Sequence, residues 1–288
     1  MYILPPFTLF DLDDTLFDHA RASRIALETV HASHATDLDF DEFATEHARV
    51  LEVYHARFLN GEFTLDEARA ARMIELFATF EKSIDGAVAR DIFAVYRREH
   101  QGNRRLVPGA RELLDALQHQ TRMGIITNNS VVEQIEKLRA LDIAHFFEVI
   151  VISEEVGVTK PDPRIFDIAL KRLGAAPHDA VMIGDSFIND VQGAARAGIA
   201  PIWLDRTYIE TRELASLVEH KRPTKHASVG VLKNKLITIA ALDPLALTLA
   251  AIEDAYLSHR NNQSHADFYA QGSTHKENNN AGMETLAS

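Results

Sequence analysis

Cysteine is absent from all 288 residues, which excludes disulfides and thiolate metal sites and suits a reducing compartment, so a cytoplasmic location is expected. Basic charge is scarce: 30 Lys and Arg face 42 Asp and Glu, for a net charge of −12. Nucleic-acid polymers are gripped by faces rich in Lys and Arg, so none is expected as a partner, and an anionic ligand would have to find cations gathered locally. Long apolar runs are also missing. The stretch from Leu236 to Ile252 is interrupted by Asp243-Pro244 and falls short of the roughly 20 residues that a membrane span needs. Met1 to Phe10 is apolar but has no basic leader and runs straight into Asp11, Asp13 and Asp14, so it reads as a buried strand, not as a signal peptide. No membrane association is expected.

What is present is enough apolar residue, 46% of the chain, to bury a full core. From Arg104 to Leu204 short apolar runs alternate with amphipathic stretches. Met123–Thr127, Val149–Ile152, Ala180–Gly184 and Pro201–Leu204 read as continuous buried strands with helices between them. That pattern predicts an α/β fold with a doubly wound, Rossmann-like parallel sheet, whose ligands bind beyond the carboxyl ends of the strands. Residues 18–98 instead show helical periodicity without strand runs, as in Ala68 to Phe80 with Met73, Ile74 and Phe77 on one face. An all-helical insert leaving after the first strand must leave and re-enter near that strand's carboxyl end, so it is expected to form a cap. Val107-Pro108-Gly109 marks the re-entry. The expected organisation is therefore a core of 1–17 and 99–235, a cap of 18–98, a helical extension of 236–258, and a tail of 259–288 too polar to order itself. The extension is apolar enough to pack on the core or on a second subunit, so the protein is expected to be a monomer or a homodimer.

The chemistry concentrates at strand ends. Phe10-Asp11-Leu12-Asp13-Asp14-Thr15 puts carboxylates at i and i+2, and strand geometry points both the same way. Two carboxylates emerging together are hard to keep ionised without a cation, so they ask for a hard divalent metal such as Mg²⁺. Later strands end in Thr127-Asn128-Asn129, Lys160-Pro161-Asp162 and Gly184-Asp185-Ser186 with Asp190. Each of these, taken singly, is also what an ordinary capped or solvated strand end looks like. In this order they supply a nucleophile, a cation, metal ligands and an acid, the requirements of phosphoryl transfer to a carboxylate.

These residues resemble the four motifs of the haloacid dehalogenase superfamily: Asp11-x-Asp13-x-Thr15, Thr127, Lys160, and Gly184-Asp185 followed by Asp190. The segment Val151 to Pro161 is similar to the branch containing bacterial pyrimidine 5′-nucleotidases of the YjjG type. The resemblance implies that Asp11 attacks phosphorus, and that Asp13 protonates the leaving alkoxide and later deprotonates water. It also implies that Thr127 and the Asn128 backbone bind phosphoryl oxygens while Lys160 neutralises charge. Mg²⁺ would be held by the Asp11 carboxylate, the Asp13 carbonyl and Asp185, with Asp190 orienting that shell. The implied activity is hydrolysis of a small phosphorylated metabolite, with a nucleoside monophosphate preferred and other small metabolite phosphates close behind.

Several alternatives compete. Dehalogenases of the superfamily lack the second aspartate, so Asp13 favours a phosphatase. Phosphonate-cleaving relatives use a cap lysine, and the insert contains only Lys82, read as solvated. A phosphomutase shares the motifs and differs in what its cap admits. A phospho-signalling receiver would carry its acceptor on a middle strand, and an inactive scaffold would not need all four motifs. His31 and His34, one turn apart, read as a solvated face; Arg97, Arg98, Arg104 and Arg105 as a solvated hinge; and Phe58, Phe63, Phe77 and Phe80 as core packing rather than a base-stacking platform.

Overall fold

The computed structural model describes residues 2–206 and 236–261. Residues 207–235, assigned above to the core, and 262–288 of the expected tail lie outside the described residues.

The apolar runs form a parallel six-stranded sheet: β1 (Phe7–Phe10), β2 (Arg122–Thr127), β3 (Val149–Ile152), β4 (Ala180–Gly184), β5 (Ala200–Leu204) and β6 (Ile237–Ile239), in the order β3-β2-β1-β4-β5-β6. β1 is central and wholly buried, with Phe10 opposite Ile125 of β2 and Ile183 of β4. Alternate side chains feed two cores. Phe10, Ile125 and Ile183 pack with Leu113, Leu114 and Leu117 of α5 (Ala110–Leu117). Leu9, Ile126 and Met182 pack with Ile165, Phe166 and Leu170 of α8 (Pro163–Leu173). Helices on both faces make this the expected doubly wound α/β fold. The strand order reverses on either side of β1, so the switch-point crevice opens at the carboxyl end of β1, where Asp11 begins.

Between β1 and α5 stand α1 (His19–His34), α2 (Phe40–Leu59), α3 (Leu65–Thr79) and α4 (Gly86–Gly102), closed around their own core of Val30, Phe43, Val50, Met73, Leu76, Phe77 and Ile92. Side chains fix where they start. Asp39 accepts from the Glu42 amide (3.0 Å), Asp85 from those of Ala87 and Val88 (2.8 and 2.9 Å), and Thr64 with Glu67 forms a capping box. The two connections run side by side: the Asp18 amide donates to the Arg105 carbonyl (3.0 Å) and the Val107 amide to that of Leu16 (2.8 Å). The returning helix α4 runs to Gly102, past the expected boundary at 98, because Tyr96 and His100 continue its inward stripe and stack at 6.0 Å.

The extension departs further from expectation. Ile237-Thr238-Ile239 is not helical but the sixth strand, with Ile202 opposite Ile237. Helical spacing in the sequence merged two runs that Asp243-Pro244 separates, whereas β-branched residues favour a strand. Beyond the short α7 (Ser153–Val156) and α9 (Gly193–Arg196), residues 245–261 (α10) are helical and lay Leu249, Ile252, Ala255 and Tyr256 on the chain's own core. Among the described residues, no helix is long and apolar enough to cross a membrane.

Candidate active site

At the switch point the four distant strand ends meet. The Asp11 amide is fixed by the Ile183 carbonyl (3.0 Å), which turns its carboxylate toward the rim. Lys160 reaches across from the loop before α8, and its Nζ donates to Asp11 Oδ1 (2.6 Å), Asp190 Oδ1 (2.6 Å) and the Ile126 carbonyl (2.9 Å). Its position is held by an amide exchange with the end of β2: the Lys160 amide donates to Asn128 Oδ1 (2.8 Å) and Asn128 Nδ2 to the Lys160 carbonyl (3.0 Å). Burial works against the Lys160 charge, but Asp11 and Asp190 outweigh it and hold the ammonium protonated above the usual lysine range.

Carboxylate oxygens of Asp11, Asp185 and Asp190 lie within 4.8 Å of one another. Thr15 fixes Asp185, accepting from its amide (3.1 Å) and donating to Oδ1 (3.3 Å). The Ser186 amide fixes Asp190 at Oδ2 (2.9 Å). A Cβ at position 184 would fall 2.3 Å from Asp190 Cγ, so only glycine lets Asp190 approach. Burial raises the Asp11 carboxyl well above the ordinary range, with Asp190, Asp185 and Asp13 adding to the rise against Lys160; Asp185 is pushed up to about 7 by burial, then by Asp190 and Asp14. Three clustered carboxylates thus carry more negative charge than one lysine balances. Their all-oxygen donor set and surplus charge fit a hard divalent cation.

The Asp13 carboxylate stands outside that cluster. It accepts from Lys137 Nζ at 2.7 and 2.9 Å and from Gln134 Nε2 at 3.0 Å, and Gln134 Nε2 also donates to Thr127 Oγ1 (2.6 Å). Burial alone would raise Asp13, but the Lys137 charge, then His19 and the hydrogen bonds from Lys137 and Gln134, hold it well below the usual carboxylate range. Gln134 and Lys137 were not anticipated. They lie one turn apart on α6 (Val131–Ala140), whose mixed polarity reads from sequence as a solvated surface, yet both are buried. Their spacing of three, in the helix that directly follows the Thr127 strand end, puts them on one face but does not by itself distinguish that face from a solvated one.

The cap roofs a cleft of about 410 Å³ that includes Asp11, Asp13, Thr127 and Lys160 on its floor and Arg69, Arg72, Phe93, Tyr96 and Arg104 on its walls. Arg69 of α3 pairs with Glu133, and Arg104 with Glu136 (3.1 Å), so the cap is tied to α6. Arg104 is therefore no part of a solvated hinge, its side chain being 7% exposed. His31 likewise is not on a solvated face: its Nε2 meets the Leu38 carbonyl (2.9 Å) and its ring packs against Phe40 and Phe43. Lys82 pairs at the surface with Asp37, and Phe58, Phe63 and Phe80 pack against the cap core, as expected.

The haloacid dehalogenase-like hydrolase family model matches residues 8–198, from β1 to the end of the helix after β4. Glyceraldehyde 3-phosphate phosphatase of Pyrococcus furiosus is 32% identical over 200 residues, covering 67% of this chain and 78% of its own. Pyrimidine 5′-nucleotidase YjjG of Escherichia coli is 40% identical over 108 residues, covering 37% and 48%. The magnesium-bound crystal structure of the putative hydrolase YfnB from Bacillus subtilis superposes with a TM-score of 0.65 at 25% identity, over 86% of this chain and all of that one. A buried carboxylate paired with a lysine beside an acidic cluster, where the strand order reverses and within so long a span of similarity, leaves one assignment: this chain belongs to the haloacid dehalogenase-like hydrolases, on their phosphatase side.

Proposed function

We propose that the protein is a Mg²⁺-dependent phosphatase of small phosphomonoesters that works through a phosphoaspartyl intermediate on Asp11. The observation that carries this reading is the buried Asp11–Lys160–Asp190 chain beside Asp185, open on one side to the roofed cleft. A carboxylate oxygen of Asp11 forms the new bond to phosphorus as the bond to the leaving oxygen breaks in line. Lys160 balances the charge of Asp11 and of the transferring group, and Thr127 and the Asn128 backbone hydrogen-bond the phosphoryl oxygens. Asp13 gives its proton to the departing alkoxide. As an anion it then takes a proton from the water that attacks phosphorus and frees Asp11. Before substrate arrives Lys137 holds Asp13 ionised; a phosphoryl dianion beside the pair competes for Lys137 and favours the protonated acid. Mg²⁺ would be held by Asp11, Asp185 and the Asp13 carbonyl, with Asp190 orienting the ligands, and when bound it withdraws charge from the phosphoryl oxygens.

Candidate substrates are nucleoside monophosphates, supported by the similarity to a pyrimidine 5′-nucleotidase, and triose and other small metabolite phosphates, supported by the longer match. Phosphate release from a panel of phosphomonoesters tests the reading. Activity should vanish on chelation, return with Mg²⁺, and be lost in Asp11→Asn; turnover by Asp11→Asn at the parent rate would remove the nucleophile.

A further inference from the structure

Among the described residues that line the cleft, Arg72 is a buried cation with no acidic partner; Arg97 lines it too but is exposed. Arg72, on α3, is 8% exposed and lines the same cleft as Asp11. Its Nε has no hydrogen-bond partner, and among the described residues no carboxylate pairs with its guanidinium. The nearby acid is taken: Glu133 is engaged by Arg69, which also binds Asp66 (3.1 Å). Arg72 instead lies between two aromatic faces, 5.4 Å from the Phe93 centroid and 5.4 Å from that of Tyr96. Ring quadrupoles offset part of the cost of burying the charge, but they satisfy few of the five N–H donors of a guanidinium. The arrangement leaves the Nε of a planar fork suited to two acceptor oxygens buried without a protein partner.

We infer that Arg72 receives a second oxyanion, carried on the leaving group, so that the substrate is a small phosphomonoester bearing a carboxylate or a second phosphate. This rests on the reading that Asp11 receives the phosphoryl group. With Asp11 on the floor and Arg72 on the cap wall, such a substrate is held at both ends. A neutral nucleoside would leave Arg72 as it stands.

Two substrate pairs separate the sources of the oxyanion. Glycerate 3-phosphate against glycerol 3-phosphate differs by a carboxylate, and propane-1,3-diol bisphosphate against its monophosphate differs by a phosphate. With the purified full-length chain and Mg²⁺, kcat/KM should favour the doubly anionic member of at least one pair by about tenfold to a hundredfold, the worth of a charge-assisted hydrogen-bonded pair. Arg72→Gln should bring that ratio close to one, and Arg72→Lys, which keeps charge without the fork, should keep part of it. Should Arg72→Gln fail to fold by circular dichroism, the wild-type ratios and Arg72→Lys decide. The inference is overturned if neither pair shows a preference, if Arg72→Gln or Arg72→Lys leaves the ratio untouched, or if uridine 5′-monophosphate outperforms all four compounds. Hydrolysis of p-nitrophenyl phosphate keeps the two readings apart. If it is absent or survives Asp11→Asn, the phosphatase reading fails; if it is present and Asp11-dependent without anion preference, only the role of Arg72 fails.

Discussion

Single residues at the rim of the sheet act as a balance of charges, and removing one side has a calculable direction. Lys160 is buried between Asp11 and Asp190, so Lys160→Met leaves two buried carboxylates without their cation. That variant should lose about 3–5 kcal/mol of stability in urea unfolding as well as its turnover. At position 184 the failure is steric: Gly184→Ala must push Asp190 away, and its apparent Mg²⁺ affinity, followed by calorimetry, should fall about tenfold or more while the sheet persists. On the proposed mechanism, Asp13→Asn should still transfer phosphate slowly to Asp11 from a substrate with a good leaving group, and mass spectrometry should find the phosphoenzyme accumulating for want of a base to activate water. At this scale the sequence was most legible. Asp11, Thr127 and Asp185 each end a buried apolar run or directly follow one, and such runs can be recognised without coordinates; Lys160, expected at a strand end, instead lies in a loop beyond β3 and the helical turn Ser153–Val156. Gln134 and Lys137 could not be recognised, since a polar pair on a helix faces solvent far more often than it faces a carboxylate, and Arg72 reads as one more charged residue in an amphipathic helix.

Among the elements, the strands between β1 and β5 follow from apolar runs bounded by turn residues, and the four cap helices from their period. β6 escaped because three residues are too few for periodicity to separate strand from helix. The helices of the cap also carry a pH dependence of their own. His47 of α2, 4% exposed, has its pKa depressed to about 3, first by burial and then by Arg72 and His19. It is neutral in the folded chain and binds a proton on unfolding below the ordinary 6.5, so its contribution is whole above that pH and is lost as pH falls toward 3. Between pH 7 and 5 this one group should remove about 2 kcal/mol of stability. Thermal melts of His47→Leu should show a shallower loss over that interval than the parent; equal slopes would show that His47 does not set the dependence.

For the molecule as a whole, the decisive relation is between cap and core, and α6 mediates it. Glu133 and Glu136 of α6 bind Arg69, Arg104 and Gln101, the last at 2.8 Å. The double variant Glu133→Gln, Glu136→Gln should shift the population toward an open form, read as a larger radius of gyration in small-angle scattering and a KM raised about threefold to tenfold. An unchanged scattering profile with unchanged KM would mean that these pairs do not hold the cap.

That helix also carries Gln134 and Lys137 to Asp13. One helix outside the cap's own span thus both ties the cap and holds the Asp13 carboxylate. An engineer who transplants residues 19–102 into another core should transplant the α6 face with them, or the graft will arrive without the partners that anchor it.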